Sequence, residues 1–215
     1  MSERTAALDY TTEKIRDIPE WNLEHKGWAP QRFKSKTSSS ETHLLYRTAR
    51  LLGSGNYADV GVYRGASTAC LAAGLCDGGH HGTIYAVDLF APLVVGEGES
   101  DEYAHWCDNA DTPQLLRHHF DETYPHIQLA ICEGDSSNFG FALEVPFRFV
   151  FLDADHSYEG CVRDYIAWER LIEHEGMLAF HDTHLPGVAR VIDEIDPWWE
   201  LVHHIYSTKI FKCKR

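Results

Sequence analysis

No stretch of this chain approaches the ~18 consecutive apolar residues that a membrane-spanning helix needs, and its opening, MSERTAALDYTTEK, has no apolar signal core. A soluble, cytoplasmic protein is expected. Basic residues are scarce as well, 19 Lys and Arg against 33 Asp and Glu, for a formal net charge of -14. Such a surface repels phosphate backbones and anionic lipid. Neither nucleic acid nor a membrane is expected as a partner, and the short basic clusters HKGWAPQRFKSK and TKIFKCKR read as solvated edges. None of the six cysteines forms a C-x-x-C pair. Four of them lie in apolar surroundings, where small buried thiols are ordinary, which fits a reducing compartment. Internal repeats and low-complexity tracts are missing too.

What is present suffices for one domain with a full core: 215 residues, 44% hydrophobic and 12% aromatic. Histidine is abundant at 14, yet six stand as the adjacent pairs His80/His81, His118/His119 and His203/His204. Neighbours in one element cannot both face one ion, so these read as solvated or half-buried imidazoles.

Along the chain, helical and strand patterns alternate. SSSETHLLYRTARLL (38–52) opens with Ser and Glu, runs at helical spacing and stops at Gly53-Ser54-Gly55. YADVGV (57–62) reads as a buried strand and GASTACLAAGLC (65–76) as a small-residue helix that packs closely on a sheet. GTIYAVDLF is the next strand, DTPQLLRHHFDETY a helix with Pro113 in its first turn, HIQLAICEGD a strand, and FRFVFLD another. SYEGCVRDYIAWERLIEHEG predicts a helix closed by Gly176, and MLAFHD a fifth strand. Such alternation predicts an α/β fold, a doubly wound, mostly parallel Rossmann-like sheet with helices on both faces. The tail, two extended runs around Ser207-Thr208, predicts an antiparallel hairpin at the sheet edge.

In such sheets ligands lie beyond the carboxyl ends of the strands. Here the predicted strands end at Asp88, Asp135, Asp153 and Asp182. Each alone could be a helix cap; four in register suggest a site. After the first strand comes DVGVYRGAS, with Gly61 and Gly65 able to turn sharply beneath a ligand at a helix N-terminus. Three residues separate these glycines, so a pyrophosphate cradle of the Gly-x-Gly-x-x-Gly kind, and with it a nicotinamide dehydrogenase, is disfavoured. Asp59 is placed to meet a cationic amine and Asp88 to accept from ribose hydroxyls. S-adenosylmethionine carries both groups and no pyrophosphate.

DVGVYRGAST resembles the first motif of class I S-adenosylmethionine-dependent methyltransferases, in the catechol and caffeoyl-CoA O-methyltransferase form. FLDADHSYEGCVRDYIAWERLIEHEGMLAFHD is similar to bacterial sugar and small-molecule O-methyltransferases. The resemblance runs from about residue 40 to residue 190. It implies a cofactor site in which Asp59 and Gly61 line the methionine part, Ser67 meets its carboxylate, Asp88 takes the ribose, and Asp135 and Ser136 lie beside the adenine, with Tyr63, Gly65 and Asp153 also in the site. The expected organisation is a methyltransferase domain over 38–215, with 1–37, where periodicity is weak, as an extension packed on the core.

Methyl transfer to a hydroxyl needs in-line positioning and loss of the hydroxyl proton, which a bound divalent cation assists. Asp153 and the His181/Asp182 pair, ending successive predicted strands, are the candidate ligands, for Mg or Mn by their oxygens. The resembling families carry Asp-Asn or Asp-Asp where this chain has His181-Asp182; the imidazole favours Mn, Fe or Zn, or His181 is no ligand. His156, three positions after Asp153 where catechol-type enzymes carry a lysine base, is one candidate base and Asp155 the other. Their bland readings are a helix cap and a solvated carboxylate. His184 is a further candidate at the rim. Residues 91–111, with Gly96, Gly98, Tyr103 and Trp106, are a lid candidate, and Trp21, Trp28 and Phe33 a candidate second wall.

The expected function is therefore transfer of a methyl group to a small hydroxylated substrate. A metal-dependent hydroxylase on the same scaffold and a cofactor-binding protein without turnover are the alternatives. A homodimer is left open.

Overall fold

The computed structural model describes residues 37–91 and 110–215. The proposed lid lies mostly outside the described residues, as do Trp21, Trp28, Phe33 and nearly all of the 1–37 extension. Thirteen elements are described in chain order: α1 (Ser39–Leu52), β1 (Gly55–Val60), α2 (Ala66–Asp77), β2 (Gly82–Asp88), α3 (Thr112–Thr123), β3 (Ile127–Glu133), α4 (Ser136–Ala142), β4 (Phe147–Leu152), α5 (Tyr158–Glu169), β5 (Ile172–Phe180), α6 (Pro186–Glu194), β6 (Trp199–Ile205) and β7 (Thr208–Cys213).

The strands form one sheet in the order β3-β2-β1-β4-β5-β7-β6. The first five are parallel, while β7 pairs antiparallel with both β5 and β6. The doubly wound α/β sheet and the C-terminal hairpin are thus both present. The strands alternate their side chains between two cores. From β1, for example, Tyr57 enters the layer shared with α1, α2 and α3, while Ala58 and Val60 enter the layer shared with α5 and α6. α2 is apolar nearly all round because it is wedged between the sheet and α1, where a Cβ on Gly74 would stand 2.3 Å from the Tyr46 carbonyl oxygen. Among the described residues no helix is long and apolar enough to cross a membrane.

Two elements differ from expectation: α4, a short helix between β3 and β4 that the pattern does not show, and the helix after β4. The helix expected to run to Gly176 ends at Glu169, and β5 begins at Ile172. The Phe147 amide donates to the Leu171 carbonyl, and the Arg170 guanidinium donates to the carbonyls of Gly140, Phe141 and Leu143. These contacts from β4 and α4 draw the chain out of its helical path earlier than local pattern predicts.

The strand ends are locked level. The amides of Gly61, Asp153 and His181, each just past its strand, donate to the carbonyls of Val87, Val60 and Leu152 on the neighbouring strand. The loops after β1, β2, β4 and β5 therefore open on one end of the sheet.

Candidate functional site

The turn after β1 lies against the turn after β4. Gly61 has φ +93°, and a Cβ there would stand 2.2 Å from the Asp153 carbonyl oxygen. Only glycine meets both demands, the left-handed backbone and the absent side chain. Tyr63 (φ 50°) and Gly65 (φ 87°) carry the turn into α2, whose N-cap, Gly65, supplies no side-chain acceptor. The Tyr63 amide donates to Asp88 Oδ2 (2.8 Å) and the Phe90 amide to Asp88 Oδ1 (2.9 Å). The carboxylate ending β2 is thereby turned back toward the glycine turn.

Asp59 is wholly buried. The hydroxyls of Ser67 (2.7 Å) and Thr68 both donate to its Oδ2, while Oδ1 has no partner. Burial pushes this carboxyl up to about 7, against the lowering pull of the Thr68 and Ser67 hydroxyls. Ser67, expected to meet a ligand carboxylate, thus has its hydroxyl committed to Asp59.

Asp135 caps α4, accepting from the Asn138 amide (3.0 Å) and the Ser137 hydroxyl (2.6 Å). Those donors hold it below the usual carboxylate range, Ser137 contributing most. The Ser136 hydroxyl donates to the buried Asp164 of α5. Of the four strand-end carboxylates, Asp88, Asp153 and Asp182 thus stand at the turns after β2, β4 and β5, and Asp135 just past β3.

Among the described residues, Asp153, His181 and Asp182 offer ligand atoms that all lie within 4.8 Å of one another. Asp153 Oδ1 is 3.0 Å from His181 Nδ1, and Asp182 Oδ1 is 3.5 Å from the same nitrogen. Asp182 holds φ 50°, a costly conformation for a side chain that cannot be glycine. Burial lowers the His181 imidazole, but the hydrogen bonds and charges of Asp153 and Asp182 outweigh it and raise the ring to about 10. Asp182 is correspondingly lowered, chiefly by His181. The cluster attracts positive charge.

His156 joins this group, with Nε2 3.3 Å from Asp153 Oδ1 and 3.5 Å from Asp182 Oδ2. Its hydrogen bond with Asp153 holds it above the ordinary imidazole value, against burial. Asp155 points elsewhere: its Oδ1 accepts from the Ser157 amide (2.8 Å), and its Oδ2 sits where a Cβ on Gly160 would come within 2.0 Å. Ser157 rather than His156 caps α5, through the Gly160 amide. His184 is exposed, its Nδ1 4.0 Å from Asp182.

Behind the cluster stands Glu41, a residue that local sequence presents only as part of a helix start. It is 3% exposed. Oε2 accepts from the amide and hydroxyl of Ser38 (3.0 and 2.7 Å), completing a capping box. Oε1 accepts from the Ser207 amide (3.0 Å), the Ser207 hydroxyl (2.7 Å) and the Thr208 hydroxyl (3.0 Å), and lies 3.6 Å from His181 Nε2. Burial raises this carboxyl, but donation from Ser207, Ser38 and Thr208 prevails and takes it down to about 2.

A family model described as a methyltransferase domain matches residues 58–183. The match begins beside Asp59 and ends just after Asp182, so it encloses every strand-end carboxylate described above. Among solved structures, the chain is similar to the O-methyltransferase NovP (14% identity, 90% of this chain and 88% of that one, TM-score 0.66). It is also similar to the O-methyltransferase from Bacillus cereus in complex with SAH (15%, 96% and 98%, 0.56), and to CalS11, a calicheamicin methyltransferase (14%, 99% and 94%, 0.59). At these identities the likeness is one of fold.

Proposed function

The chain belongs to the methyltransferase-domain family whose model spans residues 58–183, and from that premise we propose that it transfers the methyl group of S-adenosylmethionine to a hydroxyl of a small molecule, assisted by a divalent cation. The observation carrying this reading is the gathering of Asp153, His181 and Asp182 directly across the Gly61 turn from the buried Asp59.

On this reading the cofactor lies over the ends of β1, β2 and β3. The partnerless Asp59 Oδ1 suits an ammonium group, because a buried acceptor without a donor is costly until one arrives. Asp88, oriented by two backbone amides, keeps lone pairs on each oxygen for ribose hydroxyls. With the Ser67 hydroxyl engaged, the methionine carboxylate is better matched by the free N-H groups that open α2. Asp135 and Ser136 border the adenine end.

Two carboxylates and one imidazole form a mixed donor set, which fits Mn better than Mg. When bound, such a cation lowers the pKa of the acceptor hydroxyl and orients it. His156 Nε2 then accepts the hydroxyl proton; the carboxylates that raise its pKa are those a cation would neutralise, which brings the ring back toward the range a base needs at neutral pH. The commitment of Asp155 to the start of α5 favours His156 over it in this role. An acidic chain of net charge -14 suits a small acceptor rather than a nucleic acid.

Calorimetric titration of the chelator-treated protein with S-adenosylmethionine, NAD and Mn tests this reading. Binding of S-adenosylmethionine and of Mn as separate signals, without NAD binding, is expected. Absence of S-adenosylmethionine binding overturns it.

A further inference from the structure

We propose that Glu41 and Ser207 are positioning residues that hold His181 with its Nε2-H turned away from the site, so that Nδ1 presents its lone pair to a cation beside Asp153 and Asp182. The inference rests on the metal-assisted reading above and deepens it.

The hydrogen-bond directions carry the argument. Glu41 Oε1 is an acceptor only, so the Ser207 hydroxyl, 2.7 Å away, must spend its single proton on it. Ser207 Oγ, 3.3 Å from His181 Nε2, is then left with lone pairs alone on the side facing the ring. The group it can receive there is N-H. Glu41, 3.6 Å from the same nitrogen, sets the same preference by charge. With the Nε2 proton held in this way, the proton that a cation displaces is the one Nδ1 directs at Asp153 (3.0 Å) and Asp182 (3.5 Å), and the lone pair so released faces the site. A carboxylate behind a ligating histidine commonly fixes tautomer and ring orientation in this way; here a hydroxyl is interposed.

The relay is also anchored from three elements. Glu41 belongs to the first turn of α1, Ser207 to the turn between β6 and β7, and the Thr183 amide, two residues after His181, donates to the Ser207 carbonyl (2.9 Å). α1 and the β6–β7 hairpin are thereby both brought to the back of one imidazole. A purely structural tie between α1 and the hairpin is already made by the bonds from Ser207 and Thr208 to Glu41, and would not need the Ser207 oxygen 3.3 Å from the ring.

The test is Mn affinity, read from the paramagnetic resonance of the free ion, in the full chain and in Ser207→Ala, Ser207→Thr, Glu41→Gln and Asp153→Ala, with melting temperature recorded for each. Ser207→Ala and Glu41→Gln are expected to weaken Mn binding by roughly 10–100-fold, and Ser207→Thr, which restores the hydroxyl, to recover most of it. If Glu41→Gln does not fold, the Ser207 pair decides alone. Wild-type affinity in a folded Ser207→Ala, with Asp153→Ala impaired, overturns the relay while leaving the metal reading standing. No Mn binding by the unsubstituted protein overturns both.

Discussion

Oδ1 of Asp153 and Nδ1 of His181 stand 3.0 Å apart, although 28 positions separate them in the chain. β4 and β5 are adjacent parallel strands, and the His181 amide donates to the Leu152 carbonyl, so the first residue past each strand faces the other. A carboxylate and an imidazole so held form one side of a cation site with no further rearrangement. Asp153→Ala is therefore expected to weaken Mn binding by more than ~100-fold, beyond the effect of losing an outer partner. S-adenosylmethionine affinity should change little, since Asp59 and Asp88 are untouched. Parallel titrations of the variant with both ligands check this; unchanged Mn affinity would remove Asp153 from the site.

The two candidate bases make opposite predictions. His156 Nε2 lies within 3.5 Å of both Asp153 and Asp182, whereas Asp155 is bonded to the start of α5. Loss of a general base costs on the order of 10²–10⁴ in rate. His156→Gln should show a drop of that order in S-adenosylhomocysteine release with a hydroxylated acceptor that turns over, and Asp155→Asn a much smaller one. The reverse order would make Asp155 the base.

Gly61→Ala tests the seam between the two halves of the site. The backbone there is left-handed, at φ +93°, and the new methyl carbon would fall 2.2 Å from a carbonyl oxygen of the neighbouring strand end. Strain of this kind costs about 1–3 kcal/mol before any clash is counted, so a loss of at least ~2 kcal/mol in urea unfolding is expected. An unaffected midpoint would mean that the turns after β1 and β4 separate readily.

Much of this arrangement was legible because the signals are local. Ser38 and Glu41 read as a helix start and do form a capping box, and apolar runs that stop at an aspartate mark strands ending at one edge of the sheet. The end of α5 was not legible, since Glu169 and Arg170 continue a helical pattern and the contacts that end it come from α4 and β4. α4 itself, SSNFGFA, is too short to show a period. The approach of Glu41 to Ser207, 166 positions away, has no local signature at all. Sequence patterning thus carried the strand ends and the front of the site, while the support behind His181 arises only when the two ends of the domain meet.

A pH effect on stability follows from Asp164. Burial pushes its carboxyl up to about 6, the Ser136 hydroxyl lowers it, Asp135 and Asp155 raise it, and Arg163 lowers it. Its residue is 4% exposed, so solvent does little to soften these effects. A carboxyl whose folded pKa exceeds its unfolded value, near 3.9, binds its proton more tightly when folded. Its contribution is therefore greatest at low pH and declines as pH rises from about 4 to about 6, by roughly 3 kcal/mol. Asn keeps an acceptor for Ser136 but cannot ionise. Asp164→Asn should accordingly be more stable than the unsubstituted protein at pH 7 and should lose less stability between pH 4 and pH 6. Urea unfolding of both proteins across that interval gives the difference directly, and parallel pH profiles would show that Asp164 ionises in the fold at no cost.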